Sequence, residues 1–244
     1  MRTYLKRLLV TVAVTAGVAG CGHDPKPYVV AGKDVSCAEC AARNNYDAEF
    51  DRLLDWTAEQ RGVLVADVID GNALASFQQR FRGAFEPDPS LGGNPQLIAD
   101  DLRAKARRER GRAHAALEVD GQTKGSDPLG FALAAAPQLR GHEEAHLVFL
   151  SDMVQRAPKV DRLDLYQPAM TAKQIEATVK RLKAERKLPN LTGVHVAVVG
   201  GGRSSGQITA EQAIAIKRFW MRLFREAGAR AITWGPRFTP PVEG

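Results

Sequence analysis

Residues 141–152, GHEEAHLVFLSD, can fold in two incompatible ways. His142, Glu143 and His146 match H-E-x-x-H, in which two imidazoles one helical turn apart hold zinc and the glutamate activates water. That chemistry needs a helix across the motif. Gly141 is a helix stop, however, and from His146 the chain runs HLVFLSD, continuously apolar and then ending in a carboxylate. A run of this kind is a central parallel strand, buried on both faces. The strand reading leaves almost no helical window for the histidines. Phe149 and Asp152 also stand where the longer form of the motif has a glycine and a third histidine.

The same pattern recurs on either side. VLVAD, Val63–Asp67, is a buried run ending in a carboxylate; GVHVAVVGGG, residues 193–202, runs into glycines; RAITW, residues 230–234, is a last short strand. AHAALEV, Ala113–Val119, reads as a further short strand. Between them lie helical periods. Asp47–Gln60 carries an apolar stripe of Phe50, Leu53, Leu54 and Trp56, and further helices are expected over 73–85, 96–110, 129–139, 171–187 and 209–227. Thr209 and Gln212 have capping-box spacing at the start of the last. Strands and helices alternating at these lengths predict an α/β, Rossmann-like fold: a mostly parallel central sheet with helices on both faces.

The chain has 244 residues, 44% of them apolar and 25% charged, enough to bury a single core. Its net charge is +6, and three of the positive charges, Arg2, Lys6 and Arg7, precede an apolar run from Leu8 to Val18. That is the layout of a secretory signal, too short to span a bilayer comfortably. A mildly basic balance does not call for nucleic acid, and no aromatics interleave the arginines that follow.

Val18-Ala19-Gly20-Cys21 resembles the lipobox of bacterial lipoproteins, with valine in place of the commoner leucine. The resemblance implies a diacylglycerol on Cys21, cleavage before it, and a protein anchored outside the cytoplasm in the cell envelope. The expected layout is a signal peptide over 1–20, a flexible tether over 21–46, a domain over 47–238 and a tail over 239–244. Cys37 and Cys40, spaced C-x-x-C in the tether, can oxidise to a small-loop disulfide in that compartment.

In doubly wound folds ligands sit beyond the C-terminal ends of the strands, which selects Asp67, Asp152 and the loop at Gly200. With these residues in view, the chain over Asp47–Phe238 resembles a von Willebrand factor type A domain. That family carries a metal-ion-dependent adhesion site: D-x-S-x-S after the first strand, a loop threonine before a helix, and an aspartate after the fourth strand. The resemblance matches Asp67 to the first aspartate, Ser126 of GSDPLGFAL to the loop hydroxyl and Asp152 to the last aspartate. The two serine positions fall on Ile69 and Gly71, so Asp70, or else Asn72 or Ser76, has to substitute. Magnesium accepts one or two carboxylates when water completes its shell, so Mg2+ or another divalent cation is the expected cofactor.

Two further stretches have bland readings. GGGRSSG, residues 200–206, departs from G-x-G-x-x-G at Ser205 and lacks a P-loop lysine, so it is turn material. Arg103, Lys105, Arg107, Arg108, Arg110 and Arg112 form a solvated basic face, whose functional alternative is anionic lipid or an acidic envelope polymer. The expectation is a membrane-anchored, extracytoplasmic module that binds a protein or envelope partner, with no nucleic acid and no catalysis. A zinc-dependent envelope hydrolase through His142, Glu143 and His146, or a metal-free scaffold lipoprotein, are the rivals.

Overall fold

The computed structural model describes residues 25–36, 46–119, 125–157, 162–166, 168–201 and 208–240. They form an α/β, Rossmann-like fold around one six-stranded sheet. In chain order the elements are β1 (Tyr28–Asp34), α1 (Asp47–Glu59), β2 (Val63–Ile69), α2 (Ala73–Ser76), β3 (Phe81–Ala84), α3 (Pro95–Ala116), α4 (Pro128–Ala135), β4 (Ala145–Leu150), α5 (Ala172–Ala184), β5 (His195–Val199), α6 (Ala210–Glu226) and β6 (Ala231–Gly235). The strand order is β3-β2-β1-β4-β5-β6, and every pairing is parallel except β2 with β3.

The first correction concerns the centre of this sheet. Residues 21–46 are expected as a tether, yet Tyr28–Asp34 is the strand on which both halves of the sheet are built, pairing β2 on one side and β4 on the other. Its apolar run is short, because Gly32 and Lys33 follow Ala31. The glycine is required there by close approach: a Cβ at residue 32 would lie 2.7 Å from Phe131 Cε1 and 2.8 Å from Ile69 Cδ1. Lys33 stays in the strand, and its side chain pairs with Asp47 Oδ1 at 2.5 Å.

Two other elements differ from expectation. Ala113–Val119 is not a strand; the helix begun at Pro95 continues through Ala116, and Ala113 is fully buried on it. Alanine is the best helix former, and three of them in four positions extend the helix. The helix expected over 73–85 stops after one turn, because Phe81–Ala84 pairs antiparallel with β2 as the edge strand.

Each face of the sheet carries its own core. On one, α4, α5 and α6 cover the strands with Phe131, Ile175, Leu182, Phe219, Trp220 and Phe224; on the other, α1 and α3 bring Phe50, Leu53, Leu54 and Leu102. Burying a side chain of this size contributes about 1.5–3 kcal/mol each. Capping boxes open both long C-terminal helices, Thr171 with Gln174 and Thr209 with Gln212. Among the described residues no helix is long and apolar enough to cross a membrane.

Candidate functional site

The strand order reverses between β1 and β4, and at such a switch point the loops leaving the two strands diverge and open a crevice at their C-terminal ends. Asp34 closes β1, and Ser151-Asp152 follows directly on β4. The loop before α4, Gly125-Ser126-Asp127, reaches the same place. Ser126 Oγ donates to Asp34 Oδ2 at 2.9 Å, and Ser151 Oγ donates to the same oxygen at 2.7 Å. The other oxygen, Oδ1, accepts from the Ser36 backbone N–H at 3.0 Å.

Local turns fix these groups. Ser151 Oγ accepts from Met153 N at 2.9 Å, and Asp152 Oδ1 accepts from Val154 N at 2.9 Å, two consecutive side-chain-to-backbone turns. Met153 is driven to φ 66°, an uncommon conformation for a residue with a Cβ. It is held there by Trp220 of α6, whose indole N–H donates to Met153 O at 2.8 Å inside the core. Gln155 and Asp127 are fully buried and tie the two loops together. Gln155 Nε2 donates to Asp127 Oδ1 at 2.7 Å, Gln155 Oε1 accepts from Leu129 N at 3.0 Å, and Arg156 N donates to Ser126 O at 2.8 Å.

The electrostatics follow from this crowding. Burial and then the neighbouring negative charge of Asp34 push the Asp152 carboxyl up to about 7, against the Val154 N–H that favours its ionised form. Two carboxyl groups at the ends of adjacent strands, one of them reached by two hydroxyls, offer oxygen donors of the kind a hard cation takes. Among the described residues no group of three or more His, Cys, Asp or Glu is arranged to hold a metal.

Of the residues expected at this site, Ser126 and Asp152 are brought together and Asp67 is not. β1 lies between β2 and β4, and β2 runs on past Asp67 to Ile69. The Asp67 carboxylate is fully buried, accepting from the backbone N–H of Gln78 at 2.5 Å and of Gln79 at 2.8 Å and pairing with Arg80 Nε at 3.1 Å. It organises the turn into β3. Asp70 caps its own turn, accepting from Asn72 N at 2.8 Å. Asp34, not Asp67, is the carboxylate that Ser126 and Ser151 reach, because β1 and not β2 neighbours β4. The signal in the sequence is Asp34-Val35-Ser36, a D-x-S two residues beyond the apolar Tyr28–Ala31.

The histidine motif does not form a zinc site of the H-E-x-x-H kind. Gly141 has φ 81°, the His142 ring stacks on Tyr28 at 3.7 Å and is exposed, and His146 sits inside β4. No helix carries both. On the basic face, Arg103 pairs with Asp100, Lys105 with Asp101, Arg110 with Asp51 and Asp55, and Arg112 with Glu109, which neutralises most of it. Cys21, Cys37, Cys40 and residues 202–206 of the glycine-rich loop lie outside the described residues.

No family model matches the chain, and no curated protein matches it in sequence.

Proposed function

We propose that this chain is an envelope-tethered binding module similar to von Willebrand factor type A domains. In this reading it engages a protein or envelope partner through a divalent cation, Mg2+ by preference, held at the β1–β4 switch point. The observation that carries the reading is the convergence of Ser126 and Ser151 hydroxyls on one oxygen of Asp34 beside Asp152. Asp34, Ser36, Ser126, Ser151 and Asp152 replace the expected set of Asp67, Asp70, Ser126 and Asp152. The D-x-S-x-S spacing then gives Asp34 and Ser36, with Ala38 at the third position, so one hydroxyl of the family pattern is missing and water has to fill its place.

The donor set fits such an ion chemically. Carboxylate, hydroxyl and water oxygens suit Mg2+ or Mn2+ and do not favour zinc, which takes imidazole and thiolate. A bound cation supplies an open coordination position for a partner's carboxylate. The chain's own residues orient the ligands through the Met153 and Val154 turns and keep the two acids close enough to need a positive charge. The lipobox-like Cys21 supports a membrane anchor and an extracytoplasmic location.

The test is thermal unfolding of the full-length chain with magnesium or manganese. At a hundredfold excess over the dissociation constant, binding to the folded state alone is worth about 2.7 kcal/mol, a rise of about 5–10 °C for a domain of this size. Asp34→Ala and Asp152→Ala abolish the rise. A chain whose melting ignores both ions, or whose response survives both substitutions, is not a metal-dependent module.

A further inference from the structure

The opposite end of the sheet holds a second titratable cluster that the cation site does not use. His146 on β4 and His195 on β5 are register partners, with ring centroids 5.2 Å apart. Both present Nε2 toward Glu144 Oε1, at 2.8 Å for His146 and 4.0 Å for His195. Neither Nε2 makes an aligned hydrogen bond, and His146 is only 4% exposed. The residue packed against His146 from α1 is Trp56, edge-to-face at 5.2 Å. The other face of that contact is Phe238, whose ring lies 5.5 Å from Trp56 and whose backbone N–H donates to Glu49 Oε2 of α1 at 2.9 Å. The segment after β6 is thus strapped to α1 through an indole that rests on a buried imidazole.

We propose that Glu144, His146 and His195 form an acid-sensitive latch: with neutral imidazoles the Trp56–Phe238 strap is closed, and charging them opens it. The groups facing His146 are Glu144 from its own strand end, His195 from β5, Arg230 from the turn before β6 and the uncharged indole from α1. Glu144 is the one anion among them, and Arg230 and a charged His195 oppose protonation. A cation formed at His146 has to be hydrated, and the space around it is filled by Trp56 and the neighbouring strands. Opening the strap supplies the water.

The sign follows from burial. Desolvation holds His146 down to about 4 in the closed state, against the attraction of Glu144, and burial also lowers His195. An opened, solvated imidazole titrates near its ordinary value of about 6.5. The open state therefore binds more protons between these values, so closure is complete above about pH 6.5 and weakens as pH falls toward 4. Each titrating imidazole favours opening by up to about tenfold per pH unit, and the two together by up to about a hundredfold.

Amide hydrogen exchange on the full-length chain, corrected for intrinsic rates, reads this directly at pH 7.5 and 5.0. Residues 50–58 and 231–240 should lose about tenfold or more in protection at pH 5.0 relative to residues 128–135. His146→Gln should reduce that difference to what His195 alone supplies. Glu144→Gln removes the anion that favours a charged ring in the closed state, so it lowers the closed-state titration further and should retain or enlarge the loss of protection at low pH, which keeps the proposal testable if the histidine variant does not fold. Equal protection at both pH values, wild-type pH dependence in His146→Gln, or a smaller loss of protection in Glu144→Gln than in the parent overturns it.

Discussion

The hydroxyl of Ser151 donates to Asp34 across 2.7 Å, joining the ends of two parallel strands that are 117 residues apart in the chain. The bond exists because β1 and β4 are neighbours at the point where the strand order reverses, and it brings Asp152, the next residue, beside Asp34.

The first prediction concerns the extent of the folding unit. A chain beginning at Asp47 lacks β1 and with it every pairing of β2 and β4 to the sheet centre. It should show no cooperative thermal transition by circular dichroism, whereas a chain beginning at Pro25 should melt in one step. Cooperative melting of the shorter chain would mean that β1 is dispensable.

Asp67 and Asp34 should separate stability from cation binding. Asp67→Asn weakens a buried, partly shielded ion pair to Arg80 and two backbone contacts, which should cost about 2–3 kcal/mol in urea unfolding. The cation response should remain. Loss of that response in Asp67→Asn at full folding would return this residue to the site.

Gly32→Val tests the packing that hides β1 from sequence inspection. The added side chain meets Phe131 and Ile69 where there is no room, and overpacking of this kind costs about 1–3 kcal/mol. Urea midpoints of the variant and the parent measure it; an unchanged midpoint would show that the sheet yields at this position.

The acid pair gives a pH dependence opposite to that of the histidine latch. Asp152 in the folded chain is raised to about 7, so between its ordinary value near 4 and 7 the folded state binds more protons than the unfolded state. Stability from this group is present at low pH and is lost as pH rises toward 7, by at most about 1.4 kcal/mol per unit. In buffer with chelator, Asp152→Asn should therefore be more stable than the parent at pH 7.5 and lose that advantage by pH 4.5. A variant less stable at pH 7.5 would contradict the crowding of the two carboxyls.

Much of the framework was legible because its signals are local. Buried runs marked β2, β4 and β5, and Thr209 with Gln212 marked the start of α6 as the capping box requires. The histidine motif could be dismissed from Gly141 and the strand behind it. What escaped notice depends on long-range packing. Gly32 and Lys33 interrupt the apolar pattern of β1 for reasons that lie on α4, β2 and α1, and without β1 the site aspartate was assigned one strand away. Ser126 and Asp152 were recoverable from loop context, whereas Ser151, Gln155 and Asp127 acquire their roles only when the loops meet. The last turn of α3 was lost because alternating alanines resemble a strand until buried Ala113 shows which period governs.

The most direct measurement is manganese binding to the full-length chain by electron paramagnetic resonance, which reports free and bound ion separately. One bound Mn2+ per chain is expected, displaced by Mg2+, absent in Asp34→Asn and retained in Asp67→Asn. Binding that survives Asp34→Asn, or that vanishes only in Asp67→Asn, would contradict it.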